Sequence, residues 1–434
     1  MIINKNKFIL FFISGAIILI LGMWLSSGTL CPYANTHWSP KILSPCNYLV
    51  NIDHDLFKAV YEMIDGQERG KWSWSEGLRR VLFPLLAYPA MKYWGFETGG
   101  FIASVIINLL AFISFILFLR KEIGEKAAIA GILILTLNPG VMYWVGLPYA
   151  HVLIVPCTLW LTIIMHKLKA TQNILKSALW GLAMGILFTG YDLIAYFAPA
   201  CIFMFWLEKK YKQIPFTIIA MVLPSLLVSV ILYKFYQIPW SNRNSNIYSV
   251  VLHSYFDFSH LKEWAILIAK VPLFALNHFL FSNFIFLPIG FASTLMLLIK
   301  NHSFIPLTTI EKSILTAVVL IFLFNEAAPP YDAYWQMRGF WIARIYQPVF
   351  IVFVLYMARV YEAVSILKIK KWMNIILIFI AIGNANIVFG QIFKSPVSSY
   401  SYFLFYKQRG GYDMEMKNLN KYGARPLGIC TNNN

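Results

Sequence analysis

Residues 99–121 read GGFIASVIINLLAFISFILFLRK. Two glycines open the run, and no charge interrupts it until Arg120 and Lys121 close it. The apolar residues do not alternate with polar ones, so the run reads as helix rather than strand. It is long enough to cross a hydrocarbon layer of about 30 Å. A second apolar run, 127–146, starts directly after Lys126. The two read as a membrane hairpin turned over a basic connection at 120–126.

Runs of the same kind recur at 8–25, 150–166, 177–190, 193–207, 214–233, 282–300, 313–328, 345–361 and 373–392. The composition agrees, with 59% of residues hydrophobic and only 13% charged. Mean hydropathy is +0.64, more apolar sequence than a soluble core can absorb. Within lipid only helices and closed barrels satisfy every backbone polar group, and strand alternation is missing. The expectation is an all-α, polytopic membrane protein of about eleven transmembrane helices. Residues 1–392 would form one transmembrane domain and 393–434 a short outer tail. The run at 8–25 is too long for the core of a cleaved signal and lacks small residues before a cut. It reads as the first span, with the N-terminus inside.

Orientation follows from the basic residues. The short connections 120–126, 167–176, 208–213, 300–312 and 362–372 hold Arg120, Lys126, Lys167, Lys169, Lys210, Lys312, Lys370 and other lysines. The connections 147–149 and 190–192 hold none. The positive-inside rule puts the first set in the cytoplasm. Residues 265–300 fit either two short spans or one interfacial segment followed by one span. Only the second choice keeps Lys368, Lys370 and Lys371 inside. The net charge of +17 is thus dispersed over helix ends, which argues against a nucleic-acid partner and is compatible with anionic membrane lipid or a lipid-linked phosphate.

The first outer loop, 26–98, contains Trp72, Trp74, Tyr88, Tyr93 and Trp94, as expected of helices lying in the membrane interface. Cys31 and Cys46 flank a short Pro-containing stretch there. A disulfide between them would contribute roughly 3 kcal/mol in an oxidising compartment, and the pairing is left open. Cys157 and Cys201 fall within apolar runs and read as packing residues.

With this topology the unusual polar residues gather at the outer face. Asp53-His54-Asp55 stands in the first outer loop. Positions two apart do not share a helix face, but in an extended segment both carboxylates point the same way. Such a pair suits proton abstraction or a divalent cation, and either Asp would also serve as N-cap to a helix starting near Phe57, worth about 1 kcal/mol. His151 and Asp192 fall at span ends; a carboxylate there is costly unless paired or wetted. A later patch, Pro329-Pro330-Tyr331-Asp332-Ala333-Tyr334-Trp335-Gln336-Met337-Arg338 followed by Arg344-Ile345-Tyr346-Gln347-Pro348, sets two guanidinium groups among aromatics. Arg presents a fork to phosphate oxygens, or snorkels from an interfacial belt.

Asp53 stands four positions before Phe57, followed by Gly66 and then by Arg80-Val81-Leu82-Phe83-Pro84-Leu85-Leu86-Ala87-Tyr88-Pro89. On these residues the first outer loop resembles that of the GT-C superfamily, the integral membrane glycosyltransferases that use polyprenyl-phosphate sugars, and looks nearest to the PIG-V-like mannosyltransferases. Asn138-Pro139 and Pro148-Tyr149-Ala150-His151 resemble a second family segment in which Tyr-Ser-Glu is usual; here Ala150 and His151 replace Ser and Glu. Thr189-Gly190-Tyr191-Asp192 stands where relatives often carry Thr-Arg, and that Arg is absent. The resemblance spans roughly residues 50–200.

It implies a sugar transferred from a polyprenyl-phosphate donor to a hydroxyl of a glycan, lipid or protein, with inversion, at the outer (periplasmic) face of a bacterial inner membrane. Asp53, with Asp55 beside it, would be catalytic. Arg80, His151, Asp192, Arg338 and Arg344 would bind substrate, the late arginines meeting the lipid phosphate. No cofactor is required by this chemistry, although a divalent cation would fit the Asp pair. A polysaccharide polymerase or ligase, or a transporter or lipid flippase, is the alternative. A transporter would place charges at mid-membrane near broken helices and often shows inverted repeats; here no repeat is visible and the charges sit at one face.

Overall fold

The structure, a computed structural model, describes residues 5–27, 60–66, 80–136, 152–236, 286–326 and 347–392. Among them the chain forms helices and no strand. In order these are α1 (Lys5–Ser27), α2 (Leu82–Trp94), α3 (Phe96–Glu122), α4 (Glu125–Leu135), α5 (Ile154–Ala170), α6 (Ile174–Phe188), α7 (Phe197–Leu207), α8 (Ile214–Tyr236), α9 (Phe286–Lys300), α10 (Thr309–Glu326), α11 (Gln347–Ala363) and α12 (Leu367–Ile392). Short 3-10 turns at Asp192–Tyr196 and Tyr211–Gln213 lead into α7 and α8. Each of the eleven apolar runs coincides with one helix, and α2 is the extra element, lying within residues 26–98. The structure is an all-α polytopic membrane protein. Among the described residues, Thr98–Glu122 and Tyr211–Tyr236 have the length and hydropathy of full spans, at mean hydropathies of 2.7 and 2.4.

The bundle inverts the usual soluble pattern. Large apolar side chains face outward along α1, α8 and α12, with Leu10 65%, Ile219 67% and Ile382 64% exposed. Small polar residues are buried instead, among them Thr158, Thr162, Thr217, Thr294 and Ser313. Each of these hydroxyls donates to the carbonyl four residues earlier, at 2.7 to 2.9 Å. That satisfies the donor without a water or a second helix, as an apolar solvent requires.

Helix contacts fix the parity of the spans. Ser177 Oγ donates to Gln213 Oε1 at 2.8 Å. Further along, Gly181 lies against Thr217 and Gly185 against Met221 and Pro224. Contacts that advance together by four residues mean that α6 and α8 run parallel. The glycine stripe lets their backbones approach closely, the small-xxx-small packing of membrane helices. In contrast, Gly290 of α9 meets Ile380 while Phe286 meets Gly383 of α12, so that pair is antiparallel.

The basic connections all meet at one end. Glu122 accepts from Lys167 at 3.0 Å and pairs with His166 at 3.2 Å; the Lys167 hydrogen bond holds this carboxyl below its usual range. Lys169 pairs with Glu208 at 3.5 Å. Lys210 donates to the carbonyls of Lys169 and Thr171, and burial lowers its ammonium from the ordinary lysine value. Glu362 of α11 accepts from the Ala127 backbone N–H at 3.1 Å, capping the first turn of α4. Its carboxylate lies where a Cβ of Gly124 would stand, and Gly124 has φ +150°, so only glycine fits the α3–α4 turn. Arg359 and Glu311 join the last two hairpins at this end.

It follows that α8 leaves this end and α9 returns to it. Tyr236 and Phe286 therefore both stand at the opposite end, which agrees with a single span at 282–300. Cysteine placed at Ser73 or at Asn432, in a variant lacking Cys31, Cys46 and Cys430, is expected to react with an impermeant maleimide in intact cells. Labelling of Asn432 only after permeabilisation would show that the tail is inside.

Boundaries differ from expectation in an instructive way. Helix α12 starts at Leu367 rather than 373, because Lys368, Lys370 and Lys371 occupy its first turns at the interface. Helix α5 starts at Ile154 rather than 150 and runs on to Ala170. Cys157 and Cys201 are fully buried, as their apolar context implied.

Candidate active site opposite the basic connections

Three connections opposite the basic end meet in one place. The Leu82 backbone N–H donates to the Thr189 carbonyl at 3.3 Å, which ties the start of α2 to the turn after α6. A Cβ on Gly190 would lie 3.0 Å from Leu153 and 3.2 Å from Leu82. The 189–191 turn is thus wedged between the start of α2 and the start of α5. Beside it the Arg80 guanidinium stands 4.5 Å from the centroid of the Tyr191 ring. Both residues are buried, at 8% and 2% exposure. At this separation a guanidinium is attracted to the ring face, and stacking orients its fork. Such a group suits a phosphate oxygen or a carboxylate.

A short helical turn at 60–64, which follows the Asp53-His54-Asp55 triplet in sequence, is anchored at the same end. Val60 packs with Val81 and Leu232. The Tyr236 hydroxyl, on the last residue of α8, donates to the Met63 carbonyl at 3.2 Å. Asp65 accepts from Tyr88 at 2.8 Å and from Lys92 at 2.9 Å, both on α2. That hydrogen bond with Asp65 holds the Lys92 ammonium above its ordinary value. Tyr61 stacks obliquely on Tyr88 and Phe96, with centroids 5.9 and 5.7 Å away; burial, then Asp65, raises its phenol. Gly95, at φ +82°, turns α2 into α3 in a backbone conformation that favours glycine.

Of the residues singled out by sequence, Arg80 is buried in this cluster. Asp192 opens the 3-10 turn that follows Tyr191, and that turn as a whole lies beside α10. Asp53, Asp55, His151, Arg338 and Arg344 lie outside the described residues, as does the possible Cys31–Cys46 pair. Among the described residues no group of three or more His, Cys, Asp or Glu is arranged to hold a metal ion; the Asp pair is not among them. Sequence reading passed over Tyr191 as a site residue, although it sits within a quoted motif. It also passed over Asp65, Tyr88 and Lys92. The four-residue spacing of Tyr88 and Lys92 on one helix was the one local signal available.

No family model matches the chain, and no curated protein matches it. Among solved structures, the chain is similar to the crystal structure of ArnT from Cupriavidus metallidurans bound to undecaprenyl phosphate. Identity is 10%, the match covers 96% of this chain and 80% of that one, and the TM-score is 0.47.

Proposed function

We propose that this chain is a membrane glycosyltransferase that moves a sugar from a polyprenyl-phosphate donor to a hydroxyl acceptor at the outer face of a bacterial inner membrane. One observation carries the reading. The described segments that hold Arg80 and Tyr191 lie at the end of the bundle opposite the basic collar. At that end Arg80 and Tyr191, from segments far apart in sequence, are packed together.

The mechanism follows from the leaving group. In a single displacement the acceptor oxygen attacks the anomeric carbon and its proton passes to the Asp53 carboxylate. The bond from the anomeric carbon to the phosphate oxygen breaks, and its electron pair leaves with the lipid phosphate. That anion is stable, so no general acid is needed, unlike glycoside hydrolysis with its two carboxyl groups. Attack opposite the leaving group inverts the anomeric centre. Arg338 and Arg344 hold the phosphate and stabilise its developing charge. Arg80, His151 and Asp192 complete the binding surface, and Asp55 orients the Asp53 loop.

Replacing Arg338 or Arg344 with Lys tests the phosphate role. The charge stays but the fork is lost, so donor binding is expected to weaken, and Ala is expected to weaken it further. Measured by photo-crosslinking of a polyprenyl-phosphate probe, unchanged capture in the Lys and Ala variants of both residues would return them to interfacial anchoring.

A further inference from the structure

Tyr191 has no part in the displacement described above, yet it is one of the largest fully buried side chains among the described residues. Its burial separates it from the aromatic anchors at the same end of the bundle. Tyr93 and Trp94, which close α2 there, are 80% and 51% exposed, as side chains that reach the headgroups must be. A ring that is covered on all sides does not anchor an interface. What it covers is the Arg80 guanidinium.

The backbone on both sides of the ring is fastened. Thr189 Oγ1 donates to the Ile186 carbonyl at 2.7 Å, and the Gly190 N–H to the Leu187 carbonyl at 2.9 Å. After the ring, the Ile194 N–H donates to the Tyr191 carbonyl at 3.3 Å. Tyr191 itself is extended, with φ −162° and ψ +130°, so the ring projects from the joint between α6 and the 3-10 turn rather than from either one. Leu82, two residues beyond Arg80, is bonded to the same joint through Thr189. Ring and guanidinium are thus held by one short set of hydrogen bonds.

A guanidinium carries its N–H donors around its edge and none on its face. A carboxylate partner would neutralise the charge and occupy the fork. The Tyr191 ring attracts the charge through its face, at 4.5 Å, and does neither. Fixing a long side chain before a ligand arrives removes ordering that binding would otherwise have to supply.

We infer that Tyr191 is a positioning residue for the donor: its ring sets the plane of the Arg80 guanidinium, and Arg80 presents that fork to the donor's phosphate oxygens. The inference rests on the proposed glycosyltransferase reading, in which Arg80 belongs to the binding surface.

The test titrates the full chain in detergent micelles with a photoreactive polyprenyl phosphate and reads the concentration for half-maximal capture. A variant that merely folds poorly lowers the maximum and leaves this midpoint in place. Tyr191→Leu keeps an apolar filler but removes the ring face, and is expected to raise the midpoint by roughly fivefold or more. Tyr191→Phe, which restores the ring, should recover most of that loss. In an Arg80→Gln background the ring has no cation to hold, so Tyr191→Leu should add less than about twofold. An unmoved midpoint in Tyr191→Leu overturns the inference, as does a shift of the same size with and without Arg80. So does a Tyr191→Phe variant as weak as Tyr191→Leu, which would assign the effect to the hydroxyl. Wild-type protein that captures no polyprenyl phosphate overturns the glycosyltransferase reading itself, and the inference with it.

Discussion

Asp53→Asn is expected to reduce sugar transfer by at least roughly a hundredfold, the lower end of what removing a general base costs. Asparagine is nearly isosteric and still hydrogen-bonds, but it does not take up the acceptor's proton. The described geometry gives a reason to expect normal insertion. The helical turn at 60–64 is held by Val81 and Leu232, by Tyr236, and by the Asp65 contacts to Tyr88 and Lys92. None of these involves Asp53. Asp55→Asn should cost less, since Asp55 orients the loop. The measurement is incorporation of label from a polyprenyl-phosphate sugar into membrane acceptors, normalised to folded protein. Loss in Asp55→Asn with retention in Asp53→Asn would move the base to the neighbouring carboxylate. Full activity in both variants would sink the transferase mechanism.

The positions of the spans were legible because the solvent is so demanding. A helix that crosses hydrocarbon needs an uninterrupted apolar run, and a lysine at its end chooses a side. That information is local. Parity was legible for the same reason, and the α9–α12 contacts agree with the single-span reading of 282–300. Helix ends were less legible. Lys368 and Lys370 stop an apolar window but not a helix, since their stems lie along the surface while their heads reach the interface. The close approach of α6 to α8 rests on Ser177, Gly181 and Gly185, three small residues that read as ordinary members of an apolar run.

The site was legible only as far as motifs go. Arg80 stands in the first-loop segment that resembles the GT-C family, but nothing local to it points to Tyr191. That pair forms because the turn after α6 is wedged between α2 and α5, a consequence of packing over more than a hundred residues of sequence. Likewise, Asp65 looks like a turn residue before Gly66 until α2 folds back and brings Tyr88 and Lys92 to it. The charge pattern separates a basic end of the bundle from the opposite one, and only the packing brings Arg80 to Tyr191 and Asp65 to Tyr88 and Lys92.

The basic end carries the other large expected effect. Glu311 is 3% exposed on α10 and accepts from Arg359 of α11 through Nε at 3.0 Å and Nη2 at 2.7 Å. The same Nη2 donates to the Pro306 carbonyl at 2.8 Å. Glu311 also reaches back to the Thr308 backbone N–H at 2.8 Å, and Thr308 Oγ1 caps the Glu311 N–H at 3.2 Å, the reciprocal capping box that starts α10. Arg359→Met removes the cation and leaves a buried carboxylate, which is expected to destabilise the fold by about 3–5 kcal/mol. Adding Glu311→Gln should restore most of that loss, because glutamine keeps the cap and carries no charge to strand. The double variant is predicted to lie close to the wild type, since a buried ion pair gains little over a neutral pair once desolvation is counted. Reversible unfolding in mixed micelles measures all three. A double variant as unstable as Arg359→Met alone would mean that the loss comes from the Pro306 contact and the packing of the arginine stem, not from a stranded charge.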